Sequence, residues 1–324
     1  MRIGVVGAGA LGFHHVRILR EMTGASFTGF YEPDALRAAH VAAELSVTAH
    51  PTLGALLAAC DAVSVAAATT AHHAVAMAAI AAGKPLFIEK PITATLAEAD
   101  ALLAAAEARG VTVQVGHGER VNRAVRAAWP TIADPRFIEC TRFAPFTARG
   151  ADVSVVLDLM VHDLDLVLAM VASSVVRVDA VGTSVIARTI DLANARLTFA
   201  NGAVATLSTS RVAAVRERRI RIVQPTGLLA LDLAAGTATF HRLRTDVDRA
   251  ALATSKEALA LSAFAESVPL DAPTGEPLRL EFAAWLALLR GDAPGLVSGA
   301  QGRAVLALAL QIMDTIGHGA ATGA

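Results

Sequence analysis

Cysteine is scarce in this chain, which contains two in 324 residues. Cys60 and Cys140 are too few to build the disulfide framework of a secreted domain. The sequence also has no cysteine and histidine spacing that is typical of a zinc site. We therefore expect a cytoplasmic protein, and we expect no bound metal.

Excess charge and long apolar runs are missing as well. The formal net charge is −1, so nothing favours nucleic acid or an anionic membrane as a partner. The chain is 54% hydrophobic, but much of that fraction is alanine, and charged residues or histidines interrupt the alanine-rich segments. No run approaches the roughly 20 apolar residues of a membrane span. A length of 324 residues is enough for two domains with a large core.

A strand followed by a glycine-rich loop opens the chain. Residues 3–6 are apolar and partly β-branched, which predicts a buried strand, and Gly-Ala-Gly-Ala-Leu-Gly follows at once. In a dinucleotide-binding turn the first glycine permits the turn, the second lets the backbone approach a pyrophosphate, and the third lets helix pack on strand. The free N–H groups at the helix start then face the phosphates. The alternative is an ordinary strand–turn–helix unit. We predict that the cofactor contacts Gly7, Gly9, Ala10, Leu11 and Gly12.

An acidic residue follows the second apolar run. Residues 27–31 read as a strand that ends at Glu32, twenty residues after Gly12. A carboxylate at this place accepts hydrogen bonds from the adenosine ribose and repels a 2′-phosphate. The nearest arginine is Arg37. The sequence therefore favours NAD over NADP.

Strand-like and helical segments alternate from Met1 to about Glu119. This alternation predicts an α/β domain whose parallel sheet is covered by helices. The predicted strands are 2–6, 26–31, 62–67, 85–88 and 111–115, and the predicted helices are 11–23, 34–45, 52–59, 72–82 and 95–109.

The pattern changes after about residue 120. Runs of period two dominate the second half, and they predict a mostly antiparallel sheet with helices on one face. We therefore divide the chain into 1–119, which binds NAD, and 120–324, an α+β domain for substrate and oligomer contacts. The predicted strands are 175–186, 191–199, 203–211, 218–223 and 228–233, the predicted helices are 153–172, 276–290 and 298–317, and 244–274 is predicted as a loop with a short helix near 255–266.

Polar residues follow three neighbouring strands at their carboxyl ends, where ligands bind in such sheets. A lysine there, such as Lys90, can donate a hydrogen bond to a substrate hydroxyl or carbonyl, and the alternative for Lys90 is a surface salt bridge. His72 begins a helix, where capping of that helix is the alternative to contact with a ligand. We expect His14 and His15 to lie at solvated helix positions rather than over the dinucleotide. The strand-end residues predicted to line the cofactor are Thr69, His72, Glu89, Lys90 and His117.

Three ionisable residues recur within one apolar helix. Asp158, His162 and Asp165 are spaced at i, i+4 and i+7, so they share one helical face. A histidine can take a proton from an alcohol, and a nearby carboxylate can stabilise it. The alternative is an amphipathic helix with one solvated stripe. We predict that Asp158 and His162 take part in catalysis and substrate binding.

Several arginines are further candidates for substrate binding. Arg120 lies in a polar segment between the two halves, which either lines the cofactor or ties the domains together. Arg142 and Arg149 could bind a substrate phosphate. No GxSxG sequence occurs, so serine hydrolase chemistry finds no support.

Together these residues resemble the Gfo/Idh/MocA family of sugar oxidoreductases over nearly the whole chain. The match consists of the glycine loop at 7–12, Glu-Lys-Pro at 89–91, and Asp158 four residues before His162. The resemblance implies a Rossmann domain followed by an open-faced sheet that often forms an oligomer interface. It implies that Lys90 contacts the reacting oxygen, that His162 transfers the proton, and that Asp158 supports it.

Two stretches are similar to one branch of that family, the UDP-N-acetylglucosamine 3-dehydrogenases. Residues 116–122 resemble the branch sequence GHxERFNP, and residues 156–165 resemble LDLMIHDID. Val121 and Arg123 replace the branch's Phe and Pro, and alanines at 67–68 stand where the family often has Thr-Pro. These departures bear on the substrate more than on the chemistry.

The resemblance implies an NAD-dependent enzyme that exchanges a hydride with a ring hydroxyl or ketone of a sugar. The expected substrate is a UDP-N-acetyl amino sugar oxidised at its 3-position, and the expected assembly is a homodimer or homotetramer formed through the C-terminal sheet. An inositol or monosaccharide dehydrogenase is the alternative within enzymes. A non-catalytic NAD-binding sensor is the alternative outside them.

Overall fold

The structure is a computed structural model that describes residues 1–148, 150–254, 256 and 258–322, without the side chains of residues 249, 251 and 318–322. By its contacts the chain forms two compact units. The first consists of Met1–Gly118 and Gly275–Ala307, and the second consists of Glu119–Thr274 and Leu308–Ala324.

The first unit contains a five-stranded parallel sheet in the order β2-β1-β3-β4-β5. Both faces of the buried strands carry apolar residues, which is typical of a parallel sheet with helices on each side. The strands are β1 (Arg2–Val6), β2 (Ser26–Tyr31), β3 (Ala62–Val65), β4 (Leu86–Glu89) and β5 (Val113–Gly116), and the helices are α1 (Ala10–Leu19), α2 (Ala35–Leu45), α3 (Leu53–Ala59), α4 (Thr69–Ala81) and α5 (Leu96–Ala108).

Residues near the C-terminus complete this first unit. Helix α9 (Pro277–Arg290) buries Phe282, Trp285 and Leu286 in the same apolar cluster as Ile3 and Val16. This burial explains why residues 275–307 group with the first unit, whereas the sequence predicts them as part of 120–324. Sequence distance hides the association, because the whole segment Glu119–Thr274 separates the two parts of the first unit.

The second unit contains an eight-stranded sheet in the order β13-β12-β11-β10-β6-β9-β8-β7. Neighbouring strands are antiparallel except β6 and β9, which are parallel. The mostly antiparallel sheet is therefore confirmed. Its strands are β6 (Phe137–Phe143), β7 (Val175–Thr183), β8 (Leu192–Phe199), β9 (Val204–Ser210), β10 (Glu217–Gln224), β11 (Gly227–Asp232), β12 (Thr237–Leu243) and β13 (Ala265–Leu270), and its helices include α6 (Arg123–Ala128), α7 (Val161–Met170) and α8 (Arg249–Thr254), while α10 (Gly299–Thr322) begins in the first unit and ends in the second.

Three strands of this sheet are absent from the sequence-based prediction. Strand β6 turns Arg142 inward among apolar residues, which breaks the alternation that would reveal it. Strand β13 contains Pro269 and lies at the sheet edge, where proline is tolerated. The third is β12, and with β13 it lies in or next to the segment that was predicted as a loop.

The helix predicted at 153–172 is shorter and has two parts. A π-helical turn at Val156–Met160 precedes α7 (Val161–Met170). Single π-helical turns often occur at functional sites. Among the described residues, no helix has both the length and the apolar character needed to cross a membrane.

Candidate functional site

The glycine loop between β1 and α1 is built on two close backbone contacts. Gly7 has φ +88, and a Cβ there would lie 2.6 Å from the backbone nitrogen of Ala67. A Cβ on Gly12 would lie 2.0 Å from the carbonyl oxygen of Gly7. Both glycines are therefore required by the packing of the unit itself, as the sequence predicts for the turn and for the contact of helix with strand.

Gly9 differs from its two neighbours in the loop. A Cβ built on it would meet no atom of the described residues within 4 Å. Packing within the chain therefore does not explain this glycine, whereas the close approach of a pyrophosphate does. The open space at Gly9 fits a bound dinucleotide.

The start of α1 leaves its first N–H groups without a side-chain cap. Gly9 is the N-cap residue, no side chain accepts a hydrogen bond in its place, and the first turn contains no acidic residue. Ala10 and Leu11 are both exposed. A helix end of this kind presents N–H groups and a positive dipole end to an anion.

Glu32 lies against the glycine loop. Its Oε2 accepts a hydrogen bond from the backbone N–H of Ala8 at 2.7 Å, and its Oε1 accepts one from that of Asp34 at 3.2 Å. Each carboxylate oxygen has a second lone pair, so these bonds leave acceptor capacity for a ribose. Arg37 donates from Nε to the carbonyl oxygen of Ala8 at 2.8 Å, which directs part of its guanidinium to the loop backbone.

His15 is not at a solvated helix position, so that prediction is wrong. It is fully buried, because α1 turns it toward the sheet rather than toward water. Its Nδ1 lies 2.8 Å from Ser64 Oγ on β3, and its Nε2 lies 2.9 Å from Glu89 Oε1 at the end of β4. Its neighbour His14 is exposed. Sequence spacing alone did not separate the two, although only one can face the sheet.

His72 joins the loops that follow two strands. It is buried, with Nδ1 2.9 Å from the carbonyl oxygen of Pro91 and Nε2 3.1 Å from that of Ala67. Burial lowers the pKa of His72 below its usual value, with backbone hydrogen bonds acting in the opposite direction. A neutral ring has one N–H, so it donates to one of these carbonyls at a time. The ring does not cap α4, whose first residue is the half-buried Thr69.

Lys90 and His117 each directly follow one of two neighbouring strands, β4 and β5. Glu89 pairs with Gly116 across β4 and β5, so the residues that follow each strand emerge at the same edge. Lys90 is half-buried and His117 is buried. The first unit therefore gathers the glycine loop, Glu32 and the predicted strand-end residues at the carboxyl edge of one parallel sheet.

In the second unit, the three ionisable residues that the sequence predicts on one helical face have different surroundings. Asp158 lies in the π-helical turn and His162 lies in α7, and both are half-buried. A Cβ on Gly150 would lie 3.2 Å from Asp158 Oδ2, so the chain passes close to this carboxylate. Asp165 is buried and accepts hydrogen bonds from Arg120 Nε at 2.6 Å and Nη2 at 2.9 Å. Asp165 is therefore part of an ion pair with Arg120.

Arg142 does not offer its guanidinium to a phosphate, so that expectation is wrong. The side chain is buried, and its Nε and Nη2 donate to the two oxygens of Asp163 at 2.9 and 2.7 Å. Its Nη1 donates to Glu119 Oε1 at 2.8 Å. Burial opposes the charge of Arg142, but the two carboxylates outweigh it and raise the pKa of Arg142.

Two other arginines, Arg120 and Arg149, were also predicted to contact the substrate. Arg149 lies outside the described residues. Arg120 is paired with Asp165, and its guanidinium carbon lies 5.8 Å from the centre of the Trp129 ring. These contacts account for its charge within the unit. Sequence reasoning missed Asp163 and Asp165 as partners, and the available signal was the presence of acids and arginines in otherwise apolar segments.

Among the described residues, no group of three or more histidine, cysteine, aspartate or glutamate side chains could hold a metal ion. Cys60 and Cys140 are both free and buried.

Comparison with known proteins gives matches to two family models. A model described as "Oxidoreductase family, NAD-binding Rossmann fold" matches residues 1–117. A model described as "GFO/IDH/MocA C-terminal domain" matches residues 123–230. Their order along the chain agrees with the parallel sheet of the first unit and the antiparallel sheet of the second.

Individual relatives agree with the family models. A UDP-N-acetylglucosamine 3-dehydrogenase of Acidithiobacillus ferrooxidans is 36% identical over 313 residues, which cover 96% of each chain. A solved structure of that enzyme superposes with a TM-score of 0.87 and 35% identity, covering 98% of this chain and 97% of that one. An inositol 2-dehydrogenase of Saccharopolyspora erythraea is 34% identical over 202 residues, covering 55% of this chain and 56% of its own length.

Proposed function

The chain belongs to the GFO/IDH/MocA oxidoreductase family, and on this basis we propose that it is an NAD-dependent UDP-N-acetylglucosamine 3-dehydrogenase. The observation that carries the proposal is the similarity to such an enzyme over 96% of both chains. The sequence matches to two inositol 2-dehydrogenases extend over 55% and 51% of this chain. Similarity that includes the second unit favours the nucleotide sugar over a free cyclitol.

We propose NAD rather than NADP as the cofactor. Glu32 lies against the glycine loop at Ala8, where its remaining lone pairs can accept hydrogen bonds from ribose hydroxyls. A 2′-phosphate at the same place would meet a carboxylate of like charge. The residues proposed to hold the dinucleotide are Gly7, Gly9, Ala10, Leu11, Gly12, Glu32, Thr69, His72, Glu89, Lys90 and His117.

We propose that three side chains act on the reacting hydroxyl. Lys90 donates a hydrogen bond to its oxygen, His162 accepts its proton, and Asp158 stabilises the protonated imidazole. When bound, NAD supplies the acceptor for the hydride that leaves the carbon bearing this hydroxyl. The chain contributes alignment of these groups and the electrostatic environment of the oxygen.

We propose that Arg120 and Arg149 contact the substrate. Arg120 keeps a slightly exposed side chain, at 10% of its full area, while it pairs with Asp165. Nε and Nη2 of Arg120 both donate to Asp165, so Nη1 is the group suited to donate a charge-assisted hydrogen bond to a phosphate. Substitution of Arg120 should therefore raise the KM for a UDP-sugar more than the KM for NAD.

We further propose a cytoplasmic homodimer or homotetramer formed through the eight-stranded sheet. One face of this sheet carries half-buried or exposed side chains on its central strands, such as Glu139, Thr206 and Arg221. An open sheet face is available for association, and a stable interface on it would bury about 1,200–2,000 Å² in total. Light scattering on the eluting peak of a sizing column would give the mass of the assembly.

The experiment that tests the proposed function measures NADH formation by the purified protein. We expect NADH with NAD and UDP-N-acetylglucosamine, and little product with NADP. Myo-inositol and glucose are the parallel substrates. Product with myo-inositol alone would favour a cyclitol dehydrogenase, and NAD binding without turnover of any sugar would favour a sensor.

A further inference from the structure

We propose that His15 is a positioning residue of the active site, because it holds the carboxylate of Glu89 and thereby sets the backbone from which Lys90 projects. This inference rests on the role proposed for Lys90. It adds to that role a hydrogen-bonded chain that begins on the neighbouring strand β3 and ends next to the lysine.

The hydrogen-bonded chain has one direction. Glu89 is a carboxylate and can only accept, so His15 Nε2 carries the hydrogen across the 2.9 Å contact with Glu89 Oε1. Nδ1 of a neutral ring then accepts, and the Ser64 hydroxyl donates to it across 2.8 Å. This arrangement satisfies both ring nitrogens with a single tautomer. The partners of the ring therefore fix its orientation.

The side chains packed around His15 hold its ring in one position. Its side chain has no exposed area, and its ring lies edge-on to Phe87 at 6.0 Å and to Phe282 at 5.1 Å between centroids. A buried polar ring in an aromatic setting is costly unless its nitrogens are satisfied. An aliphatic side chain would fill the same space. The polar ring is therefore explained by what it holds.

The carboxylate of Glu89 is enclosed on a second side. A Cβ added to Gly116 would lie 3.0 Å from Glu89 Oε1 and 3.1 Å from Oε2. Gly116 is the partner of Glu89 across β4 and β5, so the absence of a side chain there gives the carboxylate its space. The Glu89 side chain retains 12% of its exposure. The carboxylate is thus held by His15 and accommodated by Gly116.

The residue after Lys90 is also held by a buried imidazole. The carbonyl oxygen of Pro91 lies 2.9 Å from His72 Nδ1. Lys90 therefore lies between two residues that buried histidines contact, one through a side chain and one through the backbone. Since a small misplacement of a catalytic group can cost a large factor in rate, loss of either contact should reduce turnover.

A pair of amide substitutions separates positioning from packing. The amide nitrogen of His15→Gln can reach the place of Nε2 and donate to Glu89, whereas the shorter His15→Asn can replace only the contact with Ser64. We expect His15→Asn to lower kcat by about tenfold to 100-fold and to change the KM for NAD by a smaller factor, because Glu89 is one of several proposed contacts of the dinucleotide. We expect His15→Gln to keep kcat close to the parent value. His14→Asn, at the exposed neighbouring position, is the matched control and should keep full activity.

Equal losses in His15→Asn and His15→Gln would overturn the proposal, because a ring that only fills space is lost in both. So would a loss confined to the KM for NAD or to Tm. Gly116→Ala provides a second variant that leaves His15 in place and crowds the Glu89 carboxylate. We expect it to lower kcat in the same direction, and an unchanged kcat would contradict the proposal.

Lys90→Ala distinguishes the failure of this inference from the failure of the proposed function. If His15 acts through Lys90, the loss caused by His15→Asn should disappear in the Lys90→Ala background. A fully active Lys90→Ala enzyme would overturn both the role of the lysine and this inference. An inactive Lys90→Ala enzyme together with a fully active His15→Asn enzyme would overturn this inference alone.

Discussion

In the first unit the groups at the cofactor edge are mainly backbone atoms and strand ends, whereas in the second unit buried ion pairs hold the helix that carries His162. The glycine loop owes its form to backbone contacts at Gly7 and Gly12. Helix α7 is fixed by Asp163 with Arg142 and by Asp165 with Arg120. The first arrangement depends on conformation and space, and the second depends on compensation of buried charge.

This difference predicts different responses to substitution. A change at the cofactor edge can abolish binding or turnover while the fold persists. A change in the buried ion pairs removes stability first, because an unpaired buried carboxylate is costly. The expected effects are largest for the catalytic lysine and smallest for an exposed ion pair.

The largest effect is expected for Lys90→Ala. Removal of a group that assists proton transfer typically costs ~10²–10⁴-fold in turnover, and we expect a loss in kcat of that order. The affinity for NAD, measured by calorimetry, should fall much less than kcat, because Lys90 is one of eleven residues proposed to hold the dinucleotide, and Tm should remain close to its parent value. Unchanged turnover would show that Lys90 takes no part in the mechanism. It would also contradict the expectation that substitutions at the cofactor edge act on turnover rather than on stability.

The glycine loop can be divided by two alanine substitutions. Gly9→Ala adds a Cβ where the described residues leave open space, so we expect the parent Tm. The added Cβ would occupy the place proposed for the pyrophosphate, so we expect the affinity for NAD to weaken by about tenfold or more, which corresponds to about 1.4 kcal/mol. Gly12→Ala places a Cβ against the Gly7 carbonyl and should cost about 1–3 kcal/mol of stability as well. Thermal melts with and without NAD measure both effects. Equal Tm losses in the two variants would mean that Gly9 serves packing rather than cofactor binding.

In the second unit we expect Arg142→Met to act on stability. The variant leaves the buried Asp163 carboxylate without its partner, which should lower the free energy of unfolding by about 3–5 kcal/mol. Arg244→Met is the matched control, because Arg244 pairs with Asp246 at an exposed site of the same unit and exposed pairs contribute about 0–1 kcal/mol. Urea unfolding of both variants gives the comparison. Similar midpoints would show that burial of the Arg142 pair carries no extra weight.

The smallest effect is expected at the exposed pair of Arg2 and Asp61. The side-chain hydrogen bond from Arg2 lowers the pKa of Asp61 from 3.8 to about 2. Since the folded pKa is depressed, the contribution of this carboxylate to stability is present above pH 3.8 and is lost as the pH falls through about 2. In Arg2→Ala, an NMR titration should return the pKa of Asp61 toward 3.8 with little change in Tm. A pKa that stays near 2 would assign the shift to another group.

The sequence was most informative where local pattern determines structure. The five strands and five helices around the glycine loop follow from periodicity and punctuation, and their predicted bounds agree with the observed ones within a few residues. Glycines at 7, 9 and 12 and the acid at 32 were readable because a dinucleotide turn needs these residue types at this spacing. The family and its fold followed from the same residues together with Lys90, Asp158 and His162.

Sequence was least informative where distant side chains compensate each other. Arg142 appeared free to bind a phosphate, because nothing local shows that it is buried against Asp163. His15 appeared solvated, because its partners Ser64 and Glu89 lie 49 and 74 positions away. The inward arginine also concealed strand β6. Long-range partners of this kind become visible only in the folded chain.

The most direct measurement uses UDP-N-acetylglucosamine that carries deuterium at carbon 3. The purified protein would be incubated with NAD and this substrate, and the reduced cofactor would be examined by mass spectrometry. We expect the deuterium to appear in the reduced cofactor, because hydride leaves carbon 3 directly. Reduced cofactor without deuterium, or no reduced cofactor at all, would contradict it.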